Sequence, residues 1–279
     1  MGMLDGKVAL ITGGGRGQGR SHADKLAAQG ADIAICDIDT QFGSIPYDMT
    51  ADRSLDETAR LVEKHDRRCH TAIADVRDDA AIRQFVDDTL SQFGHIDICV
   101  ANAGIWGPQQ LHETTDELWA DTIGTCLTGV FHTMRAVLPS MIGQRSGRII
   151  ATSSAAARQG TPNLSAYVAA KMGVIGLVKT AAAEVGQYGI TVNAIAPSYV
   201  DTPMINFDAY NHMFRPDLEH PTRQTSEEVV LTSQHTLPIA SIPPAEVSKT
   251  VLYLASPLAD VITGAVIDIA AGKNTQWGF

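Results

Sequence analysis

Short apolar runs alternate with longer amphipathic segments along almost the whole chain of 279 residues, and this alternation restricts the fold more than any other feature. The apolar runs have the length of buried strands, and the segments between them have helical periodicity. The predicted strands are Val8–Ile11, Ile33–Cys36, Thr71–Ala74, Ile96–Ala101, Arg148–Thr152, Thr191–Ala196 and Ala265–Ile269. The predicted helices are His22–Gln29, Asp56–His65, Ala80–Phe93, Glu117–Ile142, Ala166–Tyr188 and Pro244–Ala255. Because crossovers between parallel strands are right-handed, the pattern predicts an α/β fold with a doubly wound, seven-stranded parallel sheet and helices on both faces.

One sheet of this kind accommodates nearly all of the sequence, so residues 1–279 are predicted to form a single domain. Two stretches interrupt the alternation. Residues 40–53 form an insertion after the second predicted strand, and residues 203–242 form a long connection before the last one. Long connections in compact domains are usually functional. We therefore expect residues 203–242 to act as a lid over a substrate.

Charge and composition argue against several classes of partner. The chain has a formal charge of -10 and no run of Lys or Arg, which argues against nucleic acid and anionic membrane surfaces. No apolar stretch approaches the roughly 18 residues of a membrane helix, and the first residues lack the layout of a signal peptide. The 4 cysteines form no C-x-x-C pair and predict neither disulfides nor structural zinc. The sequence therefore predicts a cytoplasmic protein with a small-molecule ligand and no metal.

A glycine-rich turn follows the first predicted strand and leads directly into a helix. Its glycines have the spacing G-x-x-x-G-x-G within Thr12–Gly19. Glycine permits a tight turn and a close approach of the main chain to a pyrophosphate, while the helix N-terminus presents N–H groups to it. The turn therefore predicts a Rossmann-like dinucleotide site, with an ordinary flexible loop as the alternative. The predicted cofactor-binding residues of the turn are Gly13, Arg16, Gly17, Gln18 and Gly19.

An acid at the end of the second predicted strand indicates which dinucleotide binds. Asp37, followed by Ile38, stands where a carboxylate meets the adenosine ribose hydroxyls, and it would repel a 2′-phosphate. This favours NAD over NADP, although the Arg16 cation would weaken the preference. Asp75 and Val76 are predicted to lie against the adenine, with the carboxylate accepting from its amino group. A solvated acid in a turn is the alternative interpretation of Asp75.

Three polar side chains have the spacing of an acid–base site. Tyr167 and Lys171 are four residues apart in a helical segment, so their side chains share a face. A phenol has a pKa of about 10, and an adjacent ammonium stabilises its phenolate form. Ser154, at the carboxyl end of a predicted strand, can hydrogen-bond a substrate oxygen and orient it toward the phenol. Together they predict proton transfer coupled to hydride transfer by a nicotinamide.

In this order along the chain, the motifs resemble those of the short-chain dehydrogenase/reductase family. The resemblance extends over nearly the whole chain. It implies that Tyr167 is the general acid/base, that Ser154 fixes the reacting oxygen, and that Lys171 binds the nicotinamide ribose and lowers the pKa of the phenol. Tyr167 and Lys171 therefore also belong to the cofactor site. The other cofactor-binding residues that the resemblance implies are Asn102, Ala103, Gly104, Thr152, Pro197, Val200, Thr202 and Met204.

Two segments are similar to those of a narrower subgroup, the mycofactocin-associated, carveol dehydrogenase-like enzymes. They are the insertion after Asp37 and the segment 202–205. This likeness implies a tightly held NAD that a mycofactocin-type redox partner re-oxidises in place. The family resemblance also implies a homotetramer, with the predicted helices 117–142 and 166–188 packed across one interface and the last strand near another.

Apolar side chains in the predicted lid indicate an apolar substrate. The lid contains Phe207, Tyr210, Met213 and Phe214, and Trp106 follows the fourth strand. The sequence therefore predicts an NAD-dependent oxidoreductase that interconverts a secondary alcohol and a ketone, terpenoid-like or steroid-like. Two alternatives are a non-catalytic NAD-binding sensor or scaffold and an NADP-dependent ketoreductase of acyl-carrier substrates. The retained catalytic residues disfavour the first alternative, and the acidic charge disfavours the second.

One position departs from the family pattern. Family members usually carry Asn-Leu-x-Gly in the helix after the fourth strand, where the Asn helps to hold a water that relays protons through the Lys. Here Cys126 occupies the Asn place, within residues 125–129. Because a thiol is a poor hydrogen-bond partner for water, we expect the relay to use another group or to be slower.

Overall fold

A computed structural model describes residues 2–50 and 53–276 of the chain. The strands are β1 Val8–Thr12, β2 Asp32–Asp37, β3 Cys69–Ile73, β4 Ile98–Ala101, β5 Gly147–Thr152, β6 Ile190–Pro197 and β7 Val266–Ile269. They form one seven-stranded parallel sheet in the order β3-β2-β1-β4-β5-β6-β7. Every residue of β1 and β6 is buried, as expected of strands with helices on both faces. The predicted doubly wound, seven-stranded architecture is confirmed.

Helices cover both faces of the sheet. The described residues form α1 Gly17–Ala27, α2 Leu55–Glu63, α3 Asp79–Phe93, α4 Asp116–Ile123, α5 Gly129–Gln144, α6 Ser165–Val185, α7 Asp208–Phe214, α8 Arg223–Ser233 and α9 Pro244–Ala255. Leu26 of α1 and Val251 of α9 belong to the core on one face, and Phe85 of α3 and Val178 of α6 to the core on the other. Within residues 2–50 and 53–276, no helix is long and apolar enough to span a membrane.

The segment predicted as one helix over residues 117–142 is divided in the structure. A π-helical turn, Gly124–Thr128, separates α4 from α5. Such a turn accommodates an extra residue relative to α-helical geometry, and it is frequent at functional sites. Cys126 lies in this turn, fully buried, and its Sγ atom accepts from the Ile105 N–H at 3.3 Å and donates to the Ile105 carbonyl at 3.1 Å. The thiol therefore fixes the loop that follows β4.

The insertion folds over the carboxyl ends of the strands. Of the predicted range 40–53, residues 51 and 52 lie outside the described part of the chain. The Gln41 Nε2 atom lies within 3.1–3.2 Å of three backbone carbonyls of the insertion, and its Oε1 atom accepts from the Met49 N–H at 2.7 Å. Packing against the lid and the loop after β4 buries the apolar side chains of the insertion, which are Phe42, Ile45, Tyr47 and Met49.

The predicted lid contains two helices, α7 and α8, that the sequence pattern did not reveal. α7 has only 7 residues, too few for a clear helical period. The Ser226 hydroxyl of α8 donates to Asn211 Oδ1 of α7 at 3.0 Å. Trp106 Nε1, in the loop after β4, donates to the Met204 carbonyl at 3.1 Å. The lid is therefore attached to the sheet edge by a tryptophan side chain and not only by its own chain ends.

Replacing Gln41 with Leu removes the hydrogen bonds that hold the insertion together while preserving the side-chain volume. We expect the free energy of unfolding to fall by about 1–2 kcal/mol. We also expect peptides covering residues 40–50 to exchange amide hydrogens at least tenfold faster in hydrogen-exchange mass spectrometry. The matched control is Gln84→Leu, because Gln84 is exposed and bonds Asp88 on the surface of α3. Equal exchange of residues 40–50 in both variants would rule out this role of Gln41.

Candidate active site

The carboxyl ends of β1 and β4 lie side by side at the centre of the sheet, where the strand order reverses. Ligands of doubly wound sheets bind in the crevice outside this point. A cleft of about 830 Å³ lies there. The predicted cofactor residues that line it are Gly13, Arg16, Gly17, Gln18, Asp37, Ile38, Asp75, Val76, Asn102, Ala103, Gly104, Thr202 and Met204. Phe42 and Met49 of the insertion also line this cleft. The sequence alone did not indicate whether the insertion would cover the cofactor.

The glycine turn lies at the base of this cleft. Gly13 has a φ of +68°, and a Cβ atom there would lie 2.9 Å from the Ala103 Cα atom. A Cβ atom on Gly19 would lie 2.0 Å from the Gly13 carbonyl oxygen, so neither position accepts a side chain. α1 begins at Gly17 with no acidic residue in its first turn. The positive end of the helix dipole therefore faces the cleft without a competing carboxylate, which suits a pyrophosphate.

Gln18 carries a buried polar atom that lacks a partner. Among the described residues, none hydrogen-bonds its Oε1 atom. Gln18 borders both this cleft and a second cavity beside it. Because a buried acceptor without a hydrogen bond is unfavourable, a bound molecule with an N–H or O–H donor at this position would be stabilised.

The main chain holds the carboxyl group of Asp37 in place. Its Oδ2 atom accepts from the Gly15 N–H and its Oδ1 atom from the Ile38 N–H, both at 2.8 Å. Burial raises the pKa of this carboxyl group, and the two N–H groups oppose the rise. Each oxygen keeps a lone pair for a ligand hydroxyl. Arg16, predicted beside the cofactor, donates from Nη1 to the Asp48 carbonyl of the insertion at 3.0 Å.

Asp75 borders the cleft but has an ion-pair partner. Arg77 Nη2 lies 2.7 Å from Asp75 Oδ2, and Arg77 Nη1 lies 2.6 Å from Asp121 Oδ1 on α4. The same guanidinium carbon lies 3.9 Å from the centre of the Phe42 ring. The predicted hydrogen bond from an adenine amino group to Asp75 therefore shares its acceptor with an arginine that connects α4 to the insertion.

Asn102 joins the ends of three strands. Its Nδ2 atom donates to the Thr12 carbonyl of β1 at 3.2 Å, and its Oδ1 atom accepts from Thr152 Oγ1 of β5 at 3.3 Å. Thr12 Oγ1 accepts in turn from the Asn102 and Ala103 N–H groups at 3.1 and 3.2 Å. These bonds fix the base of the cleft, and sequence reasoning missed the part that Thr12 plays in them.

Ser154, Tyr167 and Lys171 come together beside the cleft. Ser154 stands two residues beyond the end of β5, and the other two lie one turn apart on α6. The Ser154 and Tyr167 side chains line the same cavity, and Ser154 Oγ accepts from the Ala156 N–H at 3.1 Å. Lys171 is almost fully buried; its Nζ atom donates to the Thr152 carbonyl at 2.7 Å and lies 5.7 Å from the centre of the Tyr167 ring. The structure thus places the predicted acid–base residues in one cluster.

Burial dominates the protonation of this cluster. Burial raises the pKa of Tyr167, and the hydrogen bond to Ser154 offsets part of that rise. Burial lowers the pKa of the Lys171 ammonium group. In the protein alone the phenol is therefore protonated at neutral pH, and the lowering of its pKa by Lys171 stays a prediction.

The second cavity, of about 740 Å³, meets the first at Gln18, Thr202 and Met204. Ser154 and Tyr167 line it. Four residues predicted to bind the cofactor line this cavity instead of the first, namely Thr152, Tyr167, Pro197 and Val200. Its apolar walls include Trp106, Leu164, Tyr210 and Met213. Phe207 and Phe214, the other two predicted lid residues, pack against the same apolar cluster without lining the cavity.

Sequence reasoning missed two further residues of this cavity, Tyr199 and Lys273. Each stands shortly after the end of a strand, β6 or β7, where ligands of doubly wound sheets bind. That position is the signal that would have found them. All 4 cysteines are free, and in the described ranges no group of three or more His, Cys, Asp or Glu residues is placed to hold a metal ion.

Comparison with known proteins identifies the family. A sequence profile of the short chain dehydrogenase family matches residues 7–209, a range that includes β1 to β6. The chain belongs to this family. The resemblance inferred from its motifs is therefore confirmed.

Relatives of this short-chain dehydrogenase match it over its full length. The chain is 42% identical over 278 residues to (−)-trans-carveol dehydrogenase of Rhodococcus erythropolis, covering 99% of the chain and 100% of the relative. Its fold matches carveol dehydrogenase from Mycobacterium avium in complex with NAD, with a TM-score of 0.95, 42% identity, and coverage of 99% and 100%. A short chain dehydrogenase from Mycobacterium paratuberculosis bound to NAD has a TM-score of 0.88, 38% identity, and coverage of 98% and 100%. The predicted likeness to the carveol dehydrogenase-like subgroup is confirmed.

Substitutions at Cys126 test the part that its thiol plays. An Asn side chain offers both a donor and an acceptor to the Ile105 backbone, and it also bonds water. We therefore expect Cys126→Asn to keep or raise steady-state turnover. Cys126→Ala leaves the two Ile105 groups without this partner and should lower the free energy of unfolding by about 1–3 kcal/mol. A large loss of turnover in Cys126→Asn with unchanged thermal unfolding would contradict this interpretation.

Proposed function

We propose that this short-chain dehydrogenase uses NAD to interconvert a secondary alcohol and a ketone. The observation that carries the proposal is the position of Ser154 and Tyr167. Both line the second cavity, which meets the dinucleotide cleft at Gln18, Thr202 and Met204. A substrate oxygen bound by the two hydroxyls would lie at the boundary between a dinucleotide site and an apolar substrate site.

The first cleft has the chemistry that NAD requires. Gly13 and Gly19 leave room for the pyrophosphate, and Asp37 would accept from ribose hydroxyls. Gln18 Oε1 lacks a donor, and the carboxamide of a nicotinamide offers one. Two similar solved structures are NAD complexes. When bound, the nicotinamide accepts a hydride from the alcohol carbon or returns it to the ketone.

Tyr167 is the group that holds and moves the proton. In alcohol oxidation its phenolate takes the hydroxyl proton, and in ketone reduction the phenol gives a proton to the oxygen. Ser154 orients that oxygen by a hydrogen bond. Because burial raises the pKa of Tyr167, forming its phenolate requires positive charge nearby, and Lys171 on the same face of α6 supplies it.

The second cavity fits an apolar alcohol or ketone. Its aromatic and aliphatic lining is typical of a small-molecule site. A relative of 42% identity is a (−)-trans-carveol dehydrogenase. We therefore propose a terpenoid-like or steroid-like secondary alcohol as the substrate.

We further propose that NAD stays bound between turnovers and that a mycofactocin-type redox partner re-oxidises it in place. Phe42 and Met49 of the insertion line the NAD cleft, and Arg16 donates to the Asp48 carbonyl, so the insertion would have to move before NAD leaves.

We also propose a single-domain, cytoplasmic homotetramer, in which the exposed Trp119, Phe131 and Met172 on α4 to α6 would be covered. Light scattering after size-exclusion chromatography tests the tetramer.

Retention of the cofactor is measured by denaturing the purified protein and quantifying the released dinucleotide. We expect about one NAD per chain, and turnover of carveol that requires an artificial electron acceptor and releases no free NADH. Protein without dinucleotide that reduces added NAD would remove the redox-partner proposal and leave the dehydrogenase proposal intact.

Removing the Tyr167 hydroxyl separates an enzyme from a scaffold that only binds NAD. We expect Tyr167→Phe to lower kcat for carveol oxidation by about 10²–10⁴-fold, because general acid–base catalysis typically contributes that much. Its affinity for NADH, measured by fluorescence, should stay within about twofold of the wild type. A wild type that binds NADH and oxidises no secondary alcohol would favour the scaffold. Unchanged turnover in Tyr167→Phe would exclude the proposed proton transfer.

Removing the charge of Asp37 tests the preference for NAD over NADP. Asp37→Asn keeps an acceptor for a backbone N–H and for the ribose while it abolishes repulsion of a 2′-phosphate. We expect the ratio of kcat/KM for NADP to that for NAD to rise at least about tenfold. Asp39→Asn, at an exposed position just before the insertion, is the control. A ratio that does not change would exclude Asp37 from cofactor selection.

A further inference from the structure

Lys273 is a buried cation in the wall of the substrate cavity. It follows β7, lines the second cavity, and is only 5% exposed. Its Nζ atom donates to the Tyr199 hydroxyl at 2.8 Å and lies 4.5 Å from the centre of the same ring. The only polar contact of this ammonium group among the described residues is thus a neutral hydroxyl.

No carboxylate of the described residues pairs with Lys273. The acid on the preceding strand, Asp268 of β7, pairs with Arg158, whose Nε atom lies 3.0 Å from Asp268 Oδ1. A buried charge without a counter-ion is strongly unfavourable. Accordingly, burial lowers the pKa of Lys273 to about 8. The ammonium form predominates at neutral pH but lacks the anion that would stabilise it.

The groups around Lys273 are arranged to hold it and not to neutralise it. The Tyr199 hydroxyl donates to Gln234 Oε1 at 3.3 Å, which leaves its lone pair for the ammonium. His235 packs beside Tyr199, and their ring centres are 5.4 Å apart. Its Nδ1 atom faces the Ile239 carbonyl and must carry the proton, so Nε2 accepts from Ser198 Oγ at 3.0 Å. The histidine is therefore neutral and provides no negative charge.

The sheet determines how far Lys273 lies from the reacting oxygen. Ser154, Tyr199 and Lys273 follow the adjacent strands β5, β6 and β7 at the same edge of the sheet. Neighbouring strands are about 4.8 Å apart, so the chain positions of Ser154 and Lys273 differ by roughly 10 Å across the strands. A molecule that spans the cavity would meet hydroxyl groups at one end and an ammonium group at the other.

We propose that Lys273, oriented by Tyr199, binds a carboxylate at the end of the substrate remote from the reacting carbon. The inference rests on the proposed dehydrogenase function and narrows its substrate class to apolar secondary alcohols or ketones that carry a distal acid. The aromatic walls accommodate the apolar body, and the bound carboxylate is the counter-ion that the described residues lack.

A matched pair of substrates tests the proposal, 3-(4-hydroxycyclohexyl)propanoate and its methyl ester. The two differ in charge and keep the same reacting alcohol. We expect the wild type to prefer the propanoate in kcat/KM. In Lys273→Met, which keeps the length of the side chain without its charge, the ratio of propanoate to ester should fall at least about thirtyfold. Lys249→Met on the exposed surface of α9 is the control and should leave the ratio unchanged.

The pH dependence provides a second readout. Because Lys273 loses its proton as the pH rises through about 8, wild-type KM for the propanoate should rise above that pH, whereas KM for the ester should not. Among the described residues, the other titratable side chains that line this cavity are Tyr167, Tyr199 and Tyr210, and His235 and the Arg158–Asp268 pair lie nearby. Burial raises the pKa of the three phenols and lowers that of His235, so Tyr199, Tyr210 and His235 do not change charge between about pH 7.5 and 9.5, and Tyr167 acts on propanoate and ester alike. In Lys273→Met, KM for the propanoate should no longer rise above about pH 8.

Binding of 3-cyclohexylpropanoate, measured by calorimetry, needs no turnover and distinguishes this inference from the proposed function. We expect the wild type to bind it at least about tenfold more tightly than Lys273→Met. Equal binding, or an equal loss of kcat/KM for propanoate and ester, would overturn the carboxylate site even if carveol is oxidised. Tight binding that depends on Lys273, without oxidation of any alcohol, would uphold the site and overturn the dehydrogenase. Tyr199→Phe keeps the aromatic ring but removes the hydroxyl that orients Lys273, so it should also weaken binding of 3-cyclohexylpropanoate. This variant replaces Lys273→Met in the test if Lys273→Met does not fold.

Discussion

Burial of the parallel sheet on both faces is the constraint on which the rest of this structure depends. Strands such as β1 and β6 are covered completely, so ligands can approach the backbone only at the ends of the strands. At the carboxyl ends, Asn102 and Thr12 connect β1, β4 and β5 by hydrogen bonds, and the order of the strands reverses at the same place. The glycine turn after β1 and the acid–base cluster after β5 therefore open onto one shared crevice.

The insertion and the lid convert this open edge into two adjoining cavities. Aromatic rings of the insertion, the lid and the loop after β4 contact each other: the ring centres of Tyr47 and Phe207 are 5.2 Å apart, and those of Trp106 and Phe207 are 5.5 Å apart. Burial of Tyr167 beside these rings raises the pKa of its hydroxyl. Under the proposed function, forming the Tyr167 phenolate would therefore depend on the positive charge of Lys171.

Much of the fold and part of the site could be predicted from the sequence, because both depend on local spacing. Apolar runs of strand length marked all seven strands of the described sheet, and the four-residue spacing of Tyr167 and Lys171 placed both on one face of α6. Features that depend on residues distant in sequence could not be predicted. The pairing of Asp75 with Arg77 and Asp121, the bonds of Cys126 to Ile105, and the burial of Lys273 against Tyr199 follow from the packing of separate elements. The short lid helices likewise have too few turns to show a period.

The central claim is that hydride passes between a secondary alcohol and NAD at the junction of the two cavities. Carveol deuterated at its alcohol carbon tests this most directly, with the dinucleotide recovered after a single turnover and analysed by mass spectrometry. We expect one deuterium in the reduced nicotinamide, and we expect the nicotinamide to be reduced more slowly by deuterated carveol than by unlabelled carveol. Carvone formed without deuterium in the dinucleotide would contradict it.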